Sequence, residues 1–324
     1  MAPEQPSGGE EVRLTNLDEP LFDGADATKR DLIAYLEAVA DQLLGELRDR
    51  PLSVIRTLRG QRPFMQKNVP KYAPPWIRTV TIWAERSKRD VAYALCDDLR
   101  TLLWLGNQRA VEYHPTLLRA AGPGEFRQTH LVLDIDPPEG AAFGDAVGAA
   151  LLVRRALADA GLAGAAKTSG AKGVHVFVPV AQPATGEEIA AATRALAARA
   201  ERLDPALATT AFVLKEREGK VFVDGTRAGG ATVIAAYSPR IRPDTPVSFP
   251  VAWDELTRVA PGDFTIHTVP GLLGDASPWA DALPAPQRLP AELIEEGRAI
   301  PIARVAAMHE GKRRARARRR ADAG

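Results

Sequence analysis

The sequence predicts a mixed fold of helices and strands, α/β or α+β, built as one unit. Apolar residues recur at every second position in some segments and at every third or fourth in others, and the two kinds of segment alternate along the chain. No proline- or serine-rich linker interrupts residues 12 to 305. A composition of 45% hydrophobic and 26% charged residues supplies material for a sizeable core.

The elements follow in order. Residues 1–11, "MAPEQPSGGEE", are polar and acidic; they are expected to be disordered and do not form a signal peptide. "TKRDLIAYLEAVADQLLGEL" starts at a capping Thr28 and places Leu32, Tyr35, Leu36, Val39 and Leu43 at helical spacing. "RPLSVIRTL" reads as a strand. A loop stiffened by Pro63, Pro70, Pro74 and Pro75 leads to a second strand, "RTVTIWA". "KRDVAYALCDDLRTLLWLGNQRAV" reads as one long helix carrying Cys96, the single cysteine, in the core. The strand "THLVLDID" and the helix "GDAVGAALLVRRALADAG" come next. "AAKTSGAKGVHVFVPV" contains a turn and a strand in which Val174, Val176 and Val178 alternate. "GEEIAAATRALAARAERLD" is helical. "KVFVDGT" and "GATVIAAYS" read as short strands around a glycine-rich bend. Beyond about residue 240 the chain is proline-rich and irregular, and there is no internal repeat.

The chemistry starts at "LVLDIDPPEG". Residues i and i+2 of a strand share a face, so Asp134 and Asp136 hold two carboxylates side by side. Like charges that close are costly unless a cation sits with them. "KVFVDGT" brings a third acid, Asp224, to the end of another apolar strand. If those strands are neighbours, the three make an oxygen-rich site suited to Mg²⁺ or Mn²⁺. An Asp-x-Asp read alone also fits a strand-end turn before proline.

"KTSGAKGVHVFVP" offers Ser169, Gly170, Lys172, Gly173 and His175. A small cationic turn presents N–H groups, a hydroxyl and an ammonium to phosphate oxygens. Arg217, Lys220, Arg227, Arg240 and Arg242 flank Asp224 in sequence and suit a triphosphate, which guanidinium binds in a bidentate way. "RPFMQKNVPKYAPPW" interleaves Phe64, Tyr72 and Trp76 with Arg62, Lys67 and Lys71, a mixture fitted to stacking on bases and to contact with backbone phosphate. The aromatics of such a loop also serve simply to cover a core.

Charge is uneven. The net charge is +1, yet "GKRRARARRRADAG" holds seven basic residues against one acid. A basic tail over residues 306–324 suits a polyanion, and equally a solvated chain end. No Cys-x-x-Cys or His-Glu-x-x-His pattern points to zinc, and no apolar run is long enough to span a membrane. The chain is expected to be cytoplasmic.

Taken together, these segments resemble the polymerase domain of bacterial DNA ligase D, a branch of the archaeo-eukaryotic primase superfamily, in a stand-alone form. The resemblance runs from "VRLTNLDEPLF" to "PVSFPVAWDEL" and rests on three motifs in order: Asp-x-Asp, Ser-Gly-x-Lys-Gly-x-His, and the later strand-end Asp. It implies an α+β core with central mixed or antiparallel sheets flanked by helices. It implies that Asp134, Asp136 and Asp224 bind two divalent ions, Mn²⁺ or Mg²⁺. It implies nucleotide contacts from His114, Ser169, Lys172, His175, Arg227 and Arg240, and DNA contacts from Phe64, Lys67, Lys29 and Arg56. Partners implied are DNA with gaps or ends, NTPs or dNTPs, and a separate ligase and end-binding protein, with the chain acting as a monomer. The sequence also departs from the family pattern: Glu19 stands where a basic residue is usual beside Lys29, with Arg30 a substitute; Gly225 replaces a bulky residue; Ala231 stands near a lysine position; and Met65 replaces a second aromatic beside Phe64.

The reaction expected is attack of a primer 3′-hydroxyl on the α-phosphorus of a nucleotide, in gap filling or end repair and favouring ribonucleotides. The rivals are a primase that needs no primer, a non-catalytic end binder that recruits a ligase, and a sugar transferase that uses Asp-x-Asp to hold a nucleotide diphosphate.

Overall fold

The computed structural model describes residues 12–84, 88–274 and 276–302. The segments expected to be a disordered start (1–11) and a basic tail (306–324) lie outside those residues.

Two sheets carry the fold. The first is antiparallel, with Leu52–Arg56 at its centre, pairing with Phe64–Gln66, Arg89–Ala94 and Ala110–Pro115, and with Thr79–Ala84 beyond Arg89–Ala94. Two helices pack on a third, Leu99–Asn107, which in turn contacts the strand Ala110–Pro115 of this sheet. Thr28 caps Lys29–Ala38 in a capping box with Asp31, whose carboxylate accepts the Thr28 N–H at 2.8 Å. The expected single helix breaks at Val39 and resumes as Ala40–Leu47.

The long helix expected over residues 88–111 is three elements: the strand Arg89–Ala94, the helix Leu99–Asn107 and the start of the strand Ala110–Pro115. Asp98 causes the division. Its carboxylate accepts the Thr101 N–H at 2.7 Å, a helix N-cap, so the chain before it is free to pair with Thr79–Ala84. Cys96 is fully buried, as expected, but sits between the strand and the helix rather than on a helix.

The second sheet has six strands in the order Ala208–Thr209, Val221–Asp224, His130–Asp136, Val174–Pro179, Ala165–Thr168, Pro250–Val251. One pair is parallel and the rest are antiparallel, so the architecture is α+β with a mixed sheet. The helices Phe143–Asp159 and Gly186–Leu203 pack on each other and on this sheet. Leu131, Leu133 and Ile135 are wholly buried, while Asp134 and Asp136, on the alternate positions, are not. That alternation brings the acids out of an apolar strand.

"GATVIAAYS" forms no ladder. It runs beside Ala110–Pro115 with one isolated bridge, Thr116 to Thr232. Pro115 has no N–H to give, and the Tyr113 N–H goes to the Ser238 hydroxyl at 2.9 Å, so pairing cannot propagate. Within the region expected to be irregular, Ala291–Ala299 is a helix. It lies so close on Gly186–Leu203 that a Cβ at Gly297 would stand 1.8 Å from the Ala191 carbonyl oxygen. No helix among the described residues is long and apolar enough to cross a membrane.

Candidate active site

Antiparallel register builds the site. Asp224, Asp134, His175 and Lys167 are direct cross-strand partners in turn, one on each of four neighbouring strands. Asp136 stands two residues along from Asp134, opposite Phe222. The three acids predicted from sequence therefore share one face of the sheet.

Each acid already holds basic partners. Asp134 Oδ1 is 3.2 Å from His175 Nε2, and Asp134 Oδ2 is 2.9 Å from Arg227 Nη2. Arg227 Nε is also 3.2 Å from Asp224 Oδ2, so one guanidinium lies between two carboxylates. Asp224 Oδ1 accepts from the Thr226 N–H and hydroxyl at 2.8 and 2.6 Å. Asp136 is the most open of the three, with Lys172 Nζ at 3.5 Å and Arg217 Nη1 at 3.8 Å. Arg217 also stacks over the Phe222 ring. Burial alone would raise the Asp134 carboxyl; the charges and hydrogen bonds of His175 and Arg227 outweigh it and hold Asp134 well below the usual carboxylate range.

The turn between Ala165–Thr168 and Val174–Pro179 sits beside these acids. Ser169 Oγ accepts from the N–H groups of Ala171 and Gly173 at 3.2 and 3.1 Å and closes the turn. Gly170 adopts φ +67°, and a Cβ there would meet Arg240 Cγ at 2.7 Å and the Ser248 nitrogen at 2.8 Å. Lys172 Nζ donates to the Pro137 carbonyl at 2.7 Å, which holds its ammonium beside Asp136.

A second cluster joins the two sheets. Glu112 is 4% exposed. Its Oε2 is 2.9 Å from His114 Nε2, and its Oε1 accepts the Ile241 N–H at 3.0 Å and lies 3.2 Å from Arg240 Nε. Arg240 Nη1 then donates to the Ser169 carbonyl at 2.8 Å. Burial works to raise the Glu112 carboxyl, but the His114 hydrogen bond and the Arg240 charge lower it on balance. His114 and Arg240, far apart in sequence, thus share one buried carboxylate.

Whether these residues fit a divalent cation is a question of donor chemistry. Three carboxylates on one face of the sheet are hard oxygen donors, and Arg227 already marks a cation-binding position between two of them. They fit Mg²⁺ or Mn²⁺. Among the described residues no three acidic, histidine or cysteine side chains are drawn into a closed metal cage, since Asp136 stands apart with Lys172. A metal would therefore displace Arg227 or draw Asp136 inward.

The residues expected to touch DNA fall into two kinds. Phe64 is half-buried and Lys67 exposed on or next to the edge strand Phe64–Gln66. Arg56 is 8% exposed and works from behind: it donates to Gln66 Oε1 at 2.7 Å and to the Tyr72 hydroxyl at 3.1 Å, with its guanidinium 5.9 Å from the Phe64 ring. Lys29 does not present its ammonium to solvent. It is 2% exposed and donates to the Thr15 carbonyl at 2.6 Å. The other basic groups of that corner are also engaged, Arg30 with Asp18 at 2.8 Å and Arg109 with Glu19 at 3.2 Å. A cavity of about 430 Å³ lined by Glu19, Phe22, Thr57, Arg59, Arg109 and Ile241 opens there, apart from the three aspartates. Arg242 is exposed, and Lys220 pairs with Glu218 at 3.6 Å, so neither joins the acids.

Two site residues escaped the sequence reading. Glu112 was legible only as an acid two places before His114 on an apolar strand, hence on its face. Lys167 precedes the turn within "AAKTSG" and is wholly buried; its Nζ lies 3.0 Å from His175 Nδ1 and 2.6 Å from Ser248 Oγ. Burial, then the Arg240 charge, bring its ammonium down to about 7. Burial and the Lys167 charge bring His175 down to about 4, against Asp134, which raises it.

Known proteins resemble this chain in sequence and in fold. Residues 28–279 match the family model described as LigD, primase-polymerase domain. The Multifunctional non-homologous end joining protein LigD of Mycobacterium bovis is 36% identical over 254 residues, 76% of this chain and 33% of that protein. The Bifunctional non-homologous end joining protein LigD of Bacillus subtilis is 35% identical over 265 residues, 80% of this chain and 42% of that protein. The chain thus spans well under half the length of these curated relatives. The polymerase domain from Mycobacterium tuberculosis Ligase D, solved in complex with DNA, superposes with a TM-score of 0.77 at 34% identity, covering 85% of this chain and 98% of that one. With the three motifs on neighbouring strands of one sheet and the match extending over most of its length, the chain belongs to the LigD primase-polymerase domain family.

Proposed function

We propose that this chain is a DNA-repair nucleotidyltransferase that extends a primer at short gaps or DNA ends, in non-homologous end joining, with a preference for ribonucleotides. The observation that carries the reading is the cross-strand row of Asp224, Asp134 and His175 with Arg227, Lys172 and Arg240 around it. Carboxylates and phosphate-binding cations on one face suit a triphosphate bound with its counter-ions.

Asp134, Asp136 and Asp224 would hold two divalent ions, Mn²⁺ or Mg²⁺. When bound, such ions lower the pKa of an attacking hydroxyl and neutralise a leaving pyrophosphate. The chain's own cations do the rest of the electrostatic work. Lys172 and the backbone of the Ser169–Gly173 turn face the phosphates. Arg240, held by Glu112, would bind the triphosphate, and His114, on the same carboxylate, would lie near the nucleotide sugar and phosphates, as the family resemblance implies. The primer O3′ forms a bond to the α-phosphorus, the bond to the bridging oxygen breaks, and pyrophosphate leaves. Phe64, backed by Arg56, provides a stacking surface for a template base, with Lys67 beside it for backbone phosphate. Ribonucleotide use comes from the family resemblance, as do a separate ligase and an end-binding protein as partners and action as a monomer.

The test is extension of a primer facing a short gap with a downstream 5′-phosphate, using NTPs and dNTPs with Mn²⁺ or Mg²⁺, beside Asp134→Ala. Metal-dependent extension should fall about 10³-fold in the variant, several kcal/mol of transition-state stabilisation. Extension that survives in Asp134→Ala sinks the proposal. Tight gap binding with no extension under any condition would make the chain a binder.

A further inference from the structure

Two arginines face each other where no acid of the chain pairs with them. The strands Leu118–Gly122 and Glu125–Gln128 form a two-stranded antiparallel ribbon apart from both sheets, and Arg119 and Arg127 are direct cross-strand partners in it. Opposed residues share a face with their Cβ atoms about 5 Å apart, so like charges placed there repel. The alternate positions Phe126 and Gln128 turn inward, half-buried and buried, and leave the arginines on the outer face. Neither arginine has an ion pair or a hydrogen bond among the described residues, and the Arg119 Nε is out of solvent without a partner. The carboxylate of Glu125, two places before Arg127, lies over Gly122, where a Cβ would meet it at 3.7 Å. Behind the pair stands a third cation, Arg50. It is 7% exposed and already engaged, with the Leu117 carbonyl at 3.1 Å and the Thr129 hydroxyl at 2.7 Å, and Glu46 offsets part of its charge. Burial, then the charges of Arg50 and Arg119, push His130 down to about 3, as a positive potential beneath the ribbon would.

We propose that Arg119 and Arg127 form a second DNA contact, a clamp that holds a backbone phosphodiester between two guanidiniums. A phosphate there takes N–H donors from both side chains and removes their repulsion. The choice of DNA as the source of that phosphate rests on the nucleotidyl-transfer reading. The surroundings favour it over other anions. A cavity of about 660 Å³ beside Arg127 is lined by Gln182, Pro183, Ala184, Thr185 and Glu188, and offers no aromatic ring on which the base of a free nucleotide could stack. The Glu188 carboxylate in its wall is bound to the Thr185 N–H and hydroxyl at 2.8 and 2.9 Å. None of the large exposed hydrophobic residues described lies on the ribbon, so it lacks the apolar anchor of a protein interface. The ribbon is tied to the bend that follows Asp224: Gln128 Oε1 accepts the Gly229 N–H at 2.8 Å, and the Leu117 N–H donates to the Ala231 carbonyl at 3.2 Å. It stands at the Leu52 end of the strand Leu52–Arg56, where the Ala120 N–H meets the Asp49 carbonyl at 2.8 Å, whereas Phe64 pairs at the Arg56 end. The clamp therefore reaches DNA at a different place from Phe64, and it contacts backbone rather than sequence.

Fluorescence anisotropy of a labelled gapped duplex, with no nucleotide or metal ion present, measures the contact apart from any chemistry. Arg127→Glu should weaken binding about tenfold or more. Arg127→Gln should reduce the slope of log affinity against log salt by about one, the loss of a single phosphate contact. Two duplexes of unrelated sequence should lose affinity alike. Stability should move the other way: Arg127→Glu sets an acid opposite Arg119, so its thermal midpoint should rise. Weaker binding by a more stable protein cannot come from damage to the fold. Arg258→Glu makes the same charge change at an exposed arginine elsewhere and should stay within about twofold of wild type. Wild-type affinity and salt slope in both Arg127 variants overturn the proposal and leave the pair to an acidic protein. Equal weakening by Arg258→Glu overturns it as well, because net charge would then explain the loss. If Arg127→Glu proves less stable than wild type, the salt slope of Arg127→Gln decides alone. The expected losses beside a wild type that never extends a primer would keep the clamp and remove the polymerase reading. Extension by the wild type with unaltered binding in the Arg127 variants would do the reverse.

Discussion

Arg227 Nη2 lies 2.9 Å from Asp134 Oδ2, and its Nε lies 3.2 Å from Asp224 Oδ2, so a protein cation stands between two carboxylates that are expected to receive a metal ion. The arrangement makes the guanidinium and the ion competitors. Removing the arginine leaves two like charges on adjacent strands with no counter-charge from it.

Arg227→Ala should therefore bind Mn²⁺ about tenfold more tightly in the absence of nucleotide, the equivalent of one charge-assisted hydrogen bond released. Titration of Mn²⁺ followed by electron paramagnetic resonance measures this directly. Unchanged or weaker Mn²⁺ binding would mean that Arg227 and the ion do not share a position.

Glu112→Gln should raise the KM for nucleotide about tenfold while cutting kcat less. The buried carboxylate holds both Arg240 and His114, and an amide can offer one acceptor but no charge. Stability should fall by about 1–3 kcal/mol, since buried donors lose their partner. Steady-state kinetics with urea unfolding of the same protein separates the two effects. Equal losses in kcat and KM would argue against a nucleotide-binding role for the cluster.

Acid should destabilise the fold partly through His175. Its folded pKa is lowered from 6.5 to about 4. Between those values the unfolded chain takes up a proton that the folded one refuses, so stability declines as pH falls through this window and gains nothing from this group above it. The limiting slope is about 1.4 kcal/mol per pH unit. Asp134, whose folded pKa is depressed, adds its own loss only at lower pH, as the unfolded carboxyl begins to protonate. Urea unfolding at pH 7 and pH 5 should show a smaller difference for His175→Gln than for wild type. Equal differences would mean that His175 does not resist protonation.

Gly173→Ala should destabilise the protein by about 1–3 kcal/mol through overpacking, because its Cβ would stand 2.4 Å from the Ile135 carbonyl oxygen. The strand carrying Asp134 and Asp136 would have to move, so nucleotide binding should weaken with it. Calorimetry and nucleotide titration report the two. An alanine protein as stable as wild type would mean that the turn has room that the backbone contact denies.

What was readable in sequence was local. Alternation alone placed Asp134 and Asp136 on one face, and "SGAKG" marked a turn before a strand. Helical periodicity found Phe143–Asp159 and Gly186–Leu203 because both bury a stripe over many turns. It failed over residues 88–111, where a short strand and a short helix each carry apolar residues and only the Asp98 cap divides them. It passed over Ala291–Ala299 because that helix is short and depends on close packing through Gly297.

The chain's own pattern determined the residue types of the site, their places at strand ends and the turn between them, because those follow from periods of two and from turn chemistry. Register belonged to the tertiary structure. Only pairing across strands set Asp224, Asp134, His175 and Lys167 in one row, and only the meeting of two sheets brought Glu112 to Arg240, 128 positions away in the sequence. The same packing buried Lys29 and Lys167, two lysines that look alike in sequence, and gave one a carbonyl and the other an imidazole. A hydrogen-bond partner is chosen by what lies within about 3 Å after folding, and spacing along a chain does not contain that distance.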